Sequence, residues 1–433
     1  MEKLLHYIWK HRILPLHDLS TTDGRRVEII DPGLANQHSG PDFFNAKVRI
    51  GDTVWVGNVE IHERSADWFL HGHDSDPAYN NVVLHVATVI DMDVVTADGT
   101  RPPQLQLDVP PGIVADYQHL LAADRYPPCR DVVQDMPILT IHSWMSALET
   151  ERMRLKSETI QRRVAEAGGS WEEAFFRTLS RSFGFGVNGE AFEQWAHIIP
   201  LMQVGHHRDD EFQVEALFMG MAGLLQTDGM TERQRQSATA DPYFARLSSE
   251  FAYLSHKFGL TPMSRTMWKF MRLRPQNFPY IRLSQLTRLY CSRRAELSAI
   301  ASCTTIGQLR RALATDTTPY WLTHYTFGKE SRSQTKRLSA ATTDTIIINA
   351  VAPMLHAYGQ HRHDDRLMTR AVEFLEGIKA EDNSVVRMWA ECGVKADNAA
   401  DSQAILQLHH YYCERKDCLR CRFGYFYLKN KSR

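Results

Sequence analysis

No apolar run in this sequence approaches the roughly 20 residues of a membrane span, and the 433-residue chain carries a net charge of only −1. The first absence argues against helical membrane insertion. The second removes any global electrostatic pull toward nucleic acid or lipid, so such a bias has to be sought locally. The opening MEKLLHYIWKHRILPL lacks a small-residue cleavage site and interrupts its apolar pattern with charges and histidines. It reads as no signal peptide, and a cytoplasmic location is expected. The seven cysteines are unevenly placed, with Cys413, Cys418 and Cys421 crowded near the end. Without an export signal, such crowding favours a metal over disulfides. What is present is an ordinary globular composition, 43% hydrophobic and 23% charged, at a length that suggests two or three domains.

Residues 1–110 read as mixed α/β. Leu4, Leu5, Ile8 and Trp9 form a short helical stripe, and Arg26–Asp31 is a strand ending at the Pro32-Gly33 turn. Ala46–Ile50 and Thr53–His62 are two strands around Gly51-Asp52, a connection suited to a tight hairpin. Val82–Ile90 is a β-branched run typical of a buried strand. From Ile141 onward the texture is helical: Ser143–Ala167 with Ser143 as N-cap, then Trp171–Phe183, Glu211–Leu225, Thr345–Tyr358, Asp365–Ile378 and Asp401–Tyr412. Strand signals there are few and no repeat is apparent. The expectation is an α+β protein: a small mixed α/β domain over 1–125 and a larger, mostly α-helical domain over 126–433. Pro110-Pro111-Gly112 or Tyr126-Pro127-Pro128 is the expected linker.

The segment Gly40 to His85 carries the strongest chemical signal. Strand alternation puts Asn58, Glu60 and His62 on one face, with Val59 and Ile61 turned into a core. A carboxylate and an imidazole on an otherwise apolar strand cost burial energy unless something pairs with them. The hairpin brings Asp42 toward Glu60 at its open end, and two carboxylates in one place call for a hard divalent cation such as Mg²⁺. The His71-Gly72-His73 pair and Asp76 follow at once, which supplies a rival site built on His62, His71, His73 and Asp76. The plain alternatives are that Asp42 caps a turn, Glu60 is salt-bridged and His85 is a satisfied core histidine.

Between Thr261 and Arg294 stand eight basic residues and no Asp or Glu, interleaved with Trp268, Phe270, Phe278, Tyr280 and Tyr290. Arginine concentrated in this way suits forked contacts to phosphate oxygens, which marks Arg272, Arg274, Asn277 and Arg282 as candidates for nucleic-acid binding. Lys329 in a second aromatic, basic loop joins them. The competing reading is a solvated charged face. Near the C-terminus, Cys413-x4-Cys418-x2-Cys421 has spacing that folds a loop around a soft metal, with Cys392 or His409 as a fourth ligand and Zn or an iron–sulfur cluster as the occupant. The alternative is a trio of reduced thiols.

Pro41-Asp42 before the hairpin and Glu60-Ile61-His62 on its second strand resemble the motif of the PD-(D/E)XK nucleases, with His62 where a lysine is usual. That resemblance implies a restriction-endonuclease-like core, with Asp42 and Glu60 holding Mg²⁺, His62 acting on the attacking water and an N-terminal helix adding an acid, for which Glu2 is the candidate. Over nearly its full length the chain also resembles the uncharacterised bacterial domain-of-unknown-function family 2851. The resemblance rests on Gly40-Pro41-Asp42-Phe43, Val59-Glu60-Ile61-His62, Asp67-Trp68, His71, His73, Arg274-Pro275-Gln276-Asn277-Phe278-Pro279, Tyr325, Phe327-Gly328-Lys329 and the terminal cysteines. It implies no particular activity. The expected function is a metal-dependent nucleic-acid phosphodiesterase. The alternatives are a non-catalytic nucleic-acid-binding or scaffold protein with a degenerate nuclease core, and a histidine-ligated hydrolase of a small molecule.

Overall fold

A computed structural model describes residues 1–13, 18–36, 38–122 and 127–431. Two compact units emerge: Met1–Trp144 with Arg387–Val394 and Leu408–Arg433, and Met145–Val386 with Lys395–Gln407. The boundary expected between residues 125 and 126 lies outside the described residues, as does Tyr126 of the expected linker. The first unit runs past that point and takes back the chain's end. It does so because the terminal helix Arg422–Lys431 packs on the helices Pro111–Ala122 and Arg130–Val133.

The first unit is built on one mixed sheet. Its elements are α1 (Glu2–His11), β1 (Leu19–Ser20), β2 (Arg26–Asp31), β3 (Leu34–Ala35), β4 (Phe43–Ile50), β5 (Thr53–Arg64), α2 (Asp67–Leu70), β6 (Val82–Val89) and β7 (Gln104–Gln106). The strand order is β1-β2-β4-β5-β6-β7, with β3 paired to β4. Pairing is antiparallel up to β5 and parallel from β5 through β7. The β4–β5 hairpin turns at Gly51-Asp52, with Ile50 opposite Thr53. Gly51 has φ +58°, the left-handed backbone that a two-residue hairpin turn requires. Toward the open end the register slips between Phe43 and Ala46, a bulge at which Asn45 also takes a positive φ. The slip leaves Phe43 opposite Val59, so Asp42 arrives beside Glu60.

Helix α1 packs on β5 through Leu4, Leu5, Ile8 and Trp9, which join Val27, Ile29, Phe43, Val48, Val59, Ile61, Leu84 and Val86 in one core. The opposite face of β5 is covered by a smaller cluster of Trp68, Tyr79, Val82 and Val94. β5 is therefore enclosed on both faces near its end, and the Glu60 and His62 side chains are buried rather than solvated.

The second unit is predominantly helical, as expected, and its strands are the short pair His324–Thr326 and Lys329–Glu330. Several boundaries differ from expectation. The long helix starts at Ile138, where the Pro137 carbonyl accepts from the amides of Thr140 and Ile141, so Ser143 is an interior residue and not the N-cap. The expected helix 345–358 is a run over Ala340–Ile346 and Ala352–Arg362, joined by a π-helical turn at Ile347–Val351. The core holds one fully buried acid, Glu215. It accepts from the Thr318 hydroxyl and the Trp321 indole N–H at 2.8–3.0 Å and from the Tyr243 hydroxyl at 2.5 Å. Burial raises its pKa, against the pull of those donors.

Candidate metal centre

Asp42 and Glu60 interlock across the open end of the hairpin. The Asp42 amide donates to Glu60 Oε2 at 3.0 Å, and the Ile61 amide donates to Asp42 Oδ2 at 2.9 Å. Each carboxylate thus accepts from the backbone beside the other. The Glu60 pKa is raised, by burial first and by the Asp42 charge, while the hydrogen bond from His73 pulls it the other way.

Two groups of donor atoms lie on either side of Glu60. The first comprises Glu2, His6 and Asp42, whose ligand atoms fall within 4.8 Å of one another. His6 Nε2 is 3.1 Å from Asp42 Oδ2. Burial lowers the His6 pKa, but the Asp42 hydrogen bond and charge, together with Glu2, outweigh it and leave it raised. Glu2 and His6 stand four apart on α1, so one turn of helix presents both to the same place. The second group is His62, His71 and His73, again within 4.8 Å. Glu60 Oε1 approaches His73 Nε2 at 3.2 Å and His62 Nε2 at 3.5 Å. The Glu60 carboxyl therefore touches the second group with one oxygen, while its other oxygen holds the Asp42 backbone.

Local structure explains how the histidines are delivered. His62 lies two residues after Glu60 on the same face of β5. Asp67 Oδ2 accepts from the Arg64 amide, turning the chain into α2, and the His73 amide closes back on the Trp68 carbonyl. His73 stacks on Tyr79, with ring centroids 3.8 Å apart. His71 Nδ1 lies 3.2 Å from His62 Nε2. His85, opposite Glu60 in the β5–β6 register, sits with Nε2 3.0 Å from His62 Nδ1 and Nδ1 3.2 Å from the Gln104 side-chain oxygen. Burial, followed by the neighbouring imidazoles, lowers His62 to about 2. Burial also lowers His85, to about 4. Both rings are accordingly neutral at physiological pH, the form in which imidazole binds metals. The Nε2 atoms of His6 and His73 are buried, each facing a carboxylate oxygen, of Asp42 at 3.1 Å and of Glu60 at 3.2 Å.

Other residues singled out in the sequence lie elsewhere. Asp76 is exposed and caps the turn Pro77–Tyr79 through the Ala78 amide, so it is not part of the histidine group. Asn58 accepts from the Asn45 amide at the bulge and serves the hairpin's shape. In the helical unit Arg282 is buried, with its guanidinium bonded to Asn277 Oδ1 at 2.6 Å and Gln285 Oε1 at 2.9 Å. Burial lowers its pKa to about 10. Asn277 Oδ1 is thereby engaged by the buried Arg282 guanidinium. Arg265, Arg288, Arg293 and Arg294 contact Tyr280, Glu211, Asp209 and backbone carbonyls respectively. Arg272 and Arg274 are exposed. Lys329 lines, with Arg233 and Arg265, a cavity of about 610 Å³ that has no acidic residue in its wall. Sequence reasoning missed His6, whose signal was its spacing from Glu2.

Cys392, Cys413, Cys418 and Cys421 are all buried in the first unit, as is Cys129. His409, the other proposed fourth ligand, instead approaches Glu414 Oε1 at 3.3 Å.

A family model described as a protein of unknown function, DUF2851, matches residues 2–384. The chain belongs to the DUF2851 family. No curated protein and no solved structure matches it. This DUF2851 chain therefore inherits no activity from a characterised relative, and its chemistry has to be read from the site.

Proposed function

We propose that this DUF2851 protein is a divalent-metal-dependent hydrolase of phosphodiesters, with nucleic acid as its substrate class. The observation that carries the reading is the convergence of Glu2, His6 and Asp42 with His62, His71 and His73 about one buried carboxylate, Glu60. Such a set of unlike acids and bases in one enclosed place is costly without a cation to share. The donor chemistry favours Mn²⁺, Fe²⁺, Co²⁺ or Zn²⁺ over Mg²⁺, whose preferred ligands are oxygens, because half or more of the donors are imidazoles.

When bound, the ion supplies Lewis acidity: it lowers the pKa of a water and offsets charge on the scissile phosphate. The protein's own contributions follow from the geometry. Asp42 and Glu60 provide the anionic ligands, Glu60 held by the Asp42 amide and Asp42 by the Ile61 amide. His85, anchored on Gln104, sets the orientation of the His62 ring. His71 is the exposed member of the group and is the group available to move a proton to or from substrate. The phosphodiester assignment draws support from the position of Asp42 at the head of a hairpin, Glu60-Ile61-His62 on its second strand, a helix packed behind them and a sheet that turns parallel beyond, a layout similar to PD-(D/E)XK nucleases. Exposed Arg272 and Arg274 and the basic cavity at Lys329 suit a polyanion.

The test is cleavage of single- and double-stranded DNA and RNA with Mn²⁺, Zn²⁺ or Mg²⁺, beside Glu60→Ala. Metal-dependent cleavage absent from the variant supports the reading. The histidine-rich donor set also favours a second reading, hydrolysis of a small ester, and turnover of a small phosphodiester with no action on any polymer would select it.

A further inference from the structure

Within the first unit, α1 and the terminal helix Arg422–Lys431 meet through three rings. Centroid to centroid, Tyr7 lies 4.6 Å from His11 and 6.4 Å from Tyr425, and His11 lies 5.6 Å from Tyr425. Beside these rings opens a cavity of about 730 Å³, within the ~300–1,000 Å³ of pockets that take small organic groups. Lys10, Arg420, Arg422 and Lys429 line it together with His11, and no Asp or Glu does. In a chain whose net charge is −1, that wall is a local concentration of positive charge.

Most of these charges are not spent inside the protein. Arg420 meets Asp417 at 3.3 Å, but among the described residues Lys10, Arg422 and Lys429 pair with no carboxylate. Arg422 donates to the Ser143 hydroxyl, and the Lys429 ammonium stands over the Tyr425 ring at 5.7 Å. All three are exposed. Tyr7 gives a second, independent sign. It is only 5% exposed, and its hydroxyl has no hydrogen-bond partner among the described residues. A buried hydroxyl left unpaired is costly, and a polar ligand atom entering the cavity that Tyr7 lines would satisfy it.

Cations beside aromatic rings are what single-stranded nucleic acid requires: the cations follow the phosphates and the rings stack on bases. Tyr425, only partly buried, is the ring offered for stacking. A membrane surface fits less well, because the wall is concave and its most buried polar group is a hydroxyl. Lys10 also continues the ridge of α1 that carries Glu2 and His6 at steps of four residues. It stands one turn, about 6 Å along the axis, beyond His6. The cavity and the Glu2–His6–Asp42 group thus share one helix.

We propose that this cavity binds a nucleotide unit of single-stranded nucleic acid, with phosphates on Lys10, Arg422 and Lys429, a base against Tyr425 and the Tyr7 hydroxyl bonded to the ligand. The inference deepens the nucleic-acid reading of the metal centre and rests on it for the polymer, but binding here requires no metal. The test is fluorescence anisotropy of labelled oligo-dT and oligo-U with the full chain in EDTA. Replacing Lys10 and Lys429 together by Ala should weaken binding about 10-fold or more and reduce the log–log salt slope by about 1.4, at ~0.7 per phosphate contact on a single strand. Tyr7→Phe keeps the ring and should weaken binding about 3- to 10-fold, as loss of one hydrogen bond does, without lowering Tm. AMP should compete only at far higher concentration than an unlabelled strand. No binding in EDTA, unchanged affinity in either variant, or binding of phosphatidylserine-containing vesicles in place of the strands would overturn the assignment. So would tight AMP binding with no strand bound. Strand binding without metal-dependent cleavage supports this site while overturning the metal-centre proposal, and cleavage with binding unaltered in both variants does the reverse.

Discussion

Replacing Glu60 by Gln separates a metal ligand from a structural acid. Gln keeps the volume and an oxygen to accept the Asp42 amide, but it removes the negative charge that faces His73 at 3.2 Å and His62 at 3.5 Å. In the metal-free protein the change is expected to be neutral or stabilising, because burial already disfavours the ionised carboxyl. In the presence of metal the expectation reverses. At free metal about 1,000-fold above Kd, binding stabilises the native state by about 4.1 kcal/mol. Loss of one anionic ligand is taken to weaken affinity about 100-fold, the upper end of what even outer partners of metal ligands contribute. The same metal concentration is then about 10-fold above Kd and contributes about 1.4 kcal/mol. With about 2–4 °C of Tm per kcal/mol for a unit of roughly 150–250 residues, the metal-induced shift should fall from roughly 12 °C to roughly 4 °C. Differential scanning calorimetry with and without Mn²⁺ or Zn²⁺ reads this directly. Equal shifts in the native chain and the variant, with equal metal-free stability, would refute the ligand role of Glu60.

Trp68→Ala should destabilise the first unit by about 3–5 kcal/mol, because Trp68 is fully buried, donates to the Val95 carbonyl and packs against His73 and His85. Urea unfolding measures the loss, and metal affinity should fall with it. Replacing Arg272 and Arg274 together by Ala should weaken nucleic-acid binding and reduce the salt slope by about 2, if each contacts one phosphate; an unchanged slope removes both from the interface. Lys156 donates to Asn349 Oδ1 and Gln403 Oε1 at 3.1 and 2.7 Å, and burial, then Arg152, lowers its pKa from 10.5 to about 7. Between those values the unfolded chain holds a proton that the folded one has released. Stability of the helical unit should therefore rise from pH 7 to 10 by on the order of a few kcal/mol. Lys156→Met should flatten that dependence in pH-resolved chemical denaturation, and a profile unchanged by the substitution would contradict it.

The hairpin and its paired acids were legible in the sequence because both rest on local rules: Gly51-Asp52 sets the turn, and alternation separates Glu60 and His62 from Val59 and Ile61. His71 and His73 were legible through proximity in the chain. His6 was not, because its role requires α1 to dock on β5, and Leu4, Leu5, Ile8 and Trp9 announce a buried face without saying which strand receives it. Asp76 shows the reverse failure, since an acid in the right segment can be consumed by a cap. The basic stretch was legible only in part for a related reason. Counting arginines does not reveal their partners, and Arg282 turned inward to Asn277 while Arg272 and Arg274 stayed outside.

The central claim is that Glu60 and the groups on either side of it hold a divalent metal. Anomalous diffraction from crystals soaked in Mn²⁺ or Zn²⁺ tests it most directly. The account predicts a peak within about 2.0–2.6 Å of Glu60 and of donors among Asp42, His6, His62, His71 and His73. Saturating metal with no peak at these residues, in crystals where the same side chains are well ordered, would contradict it.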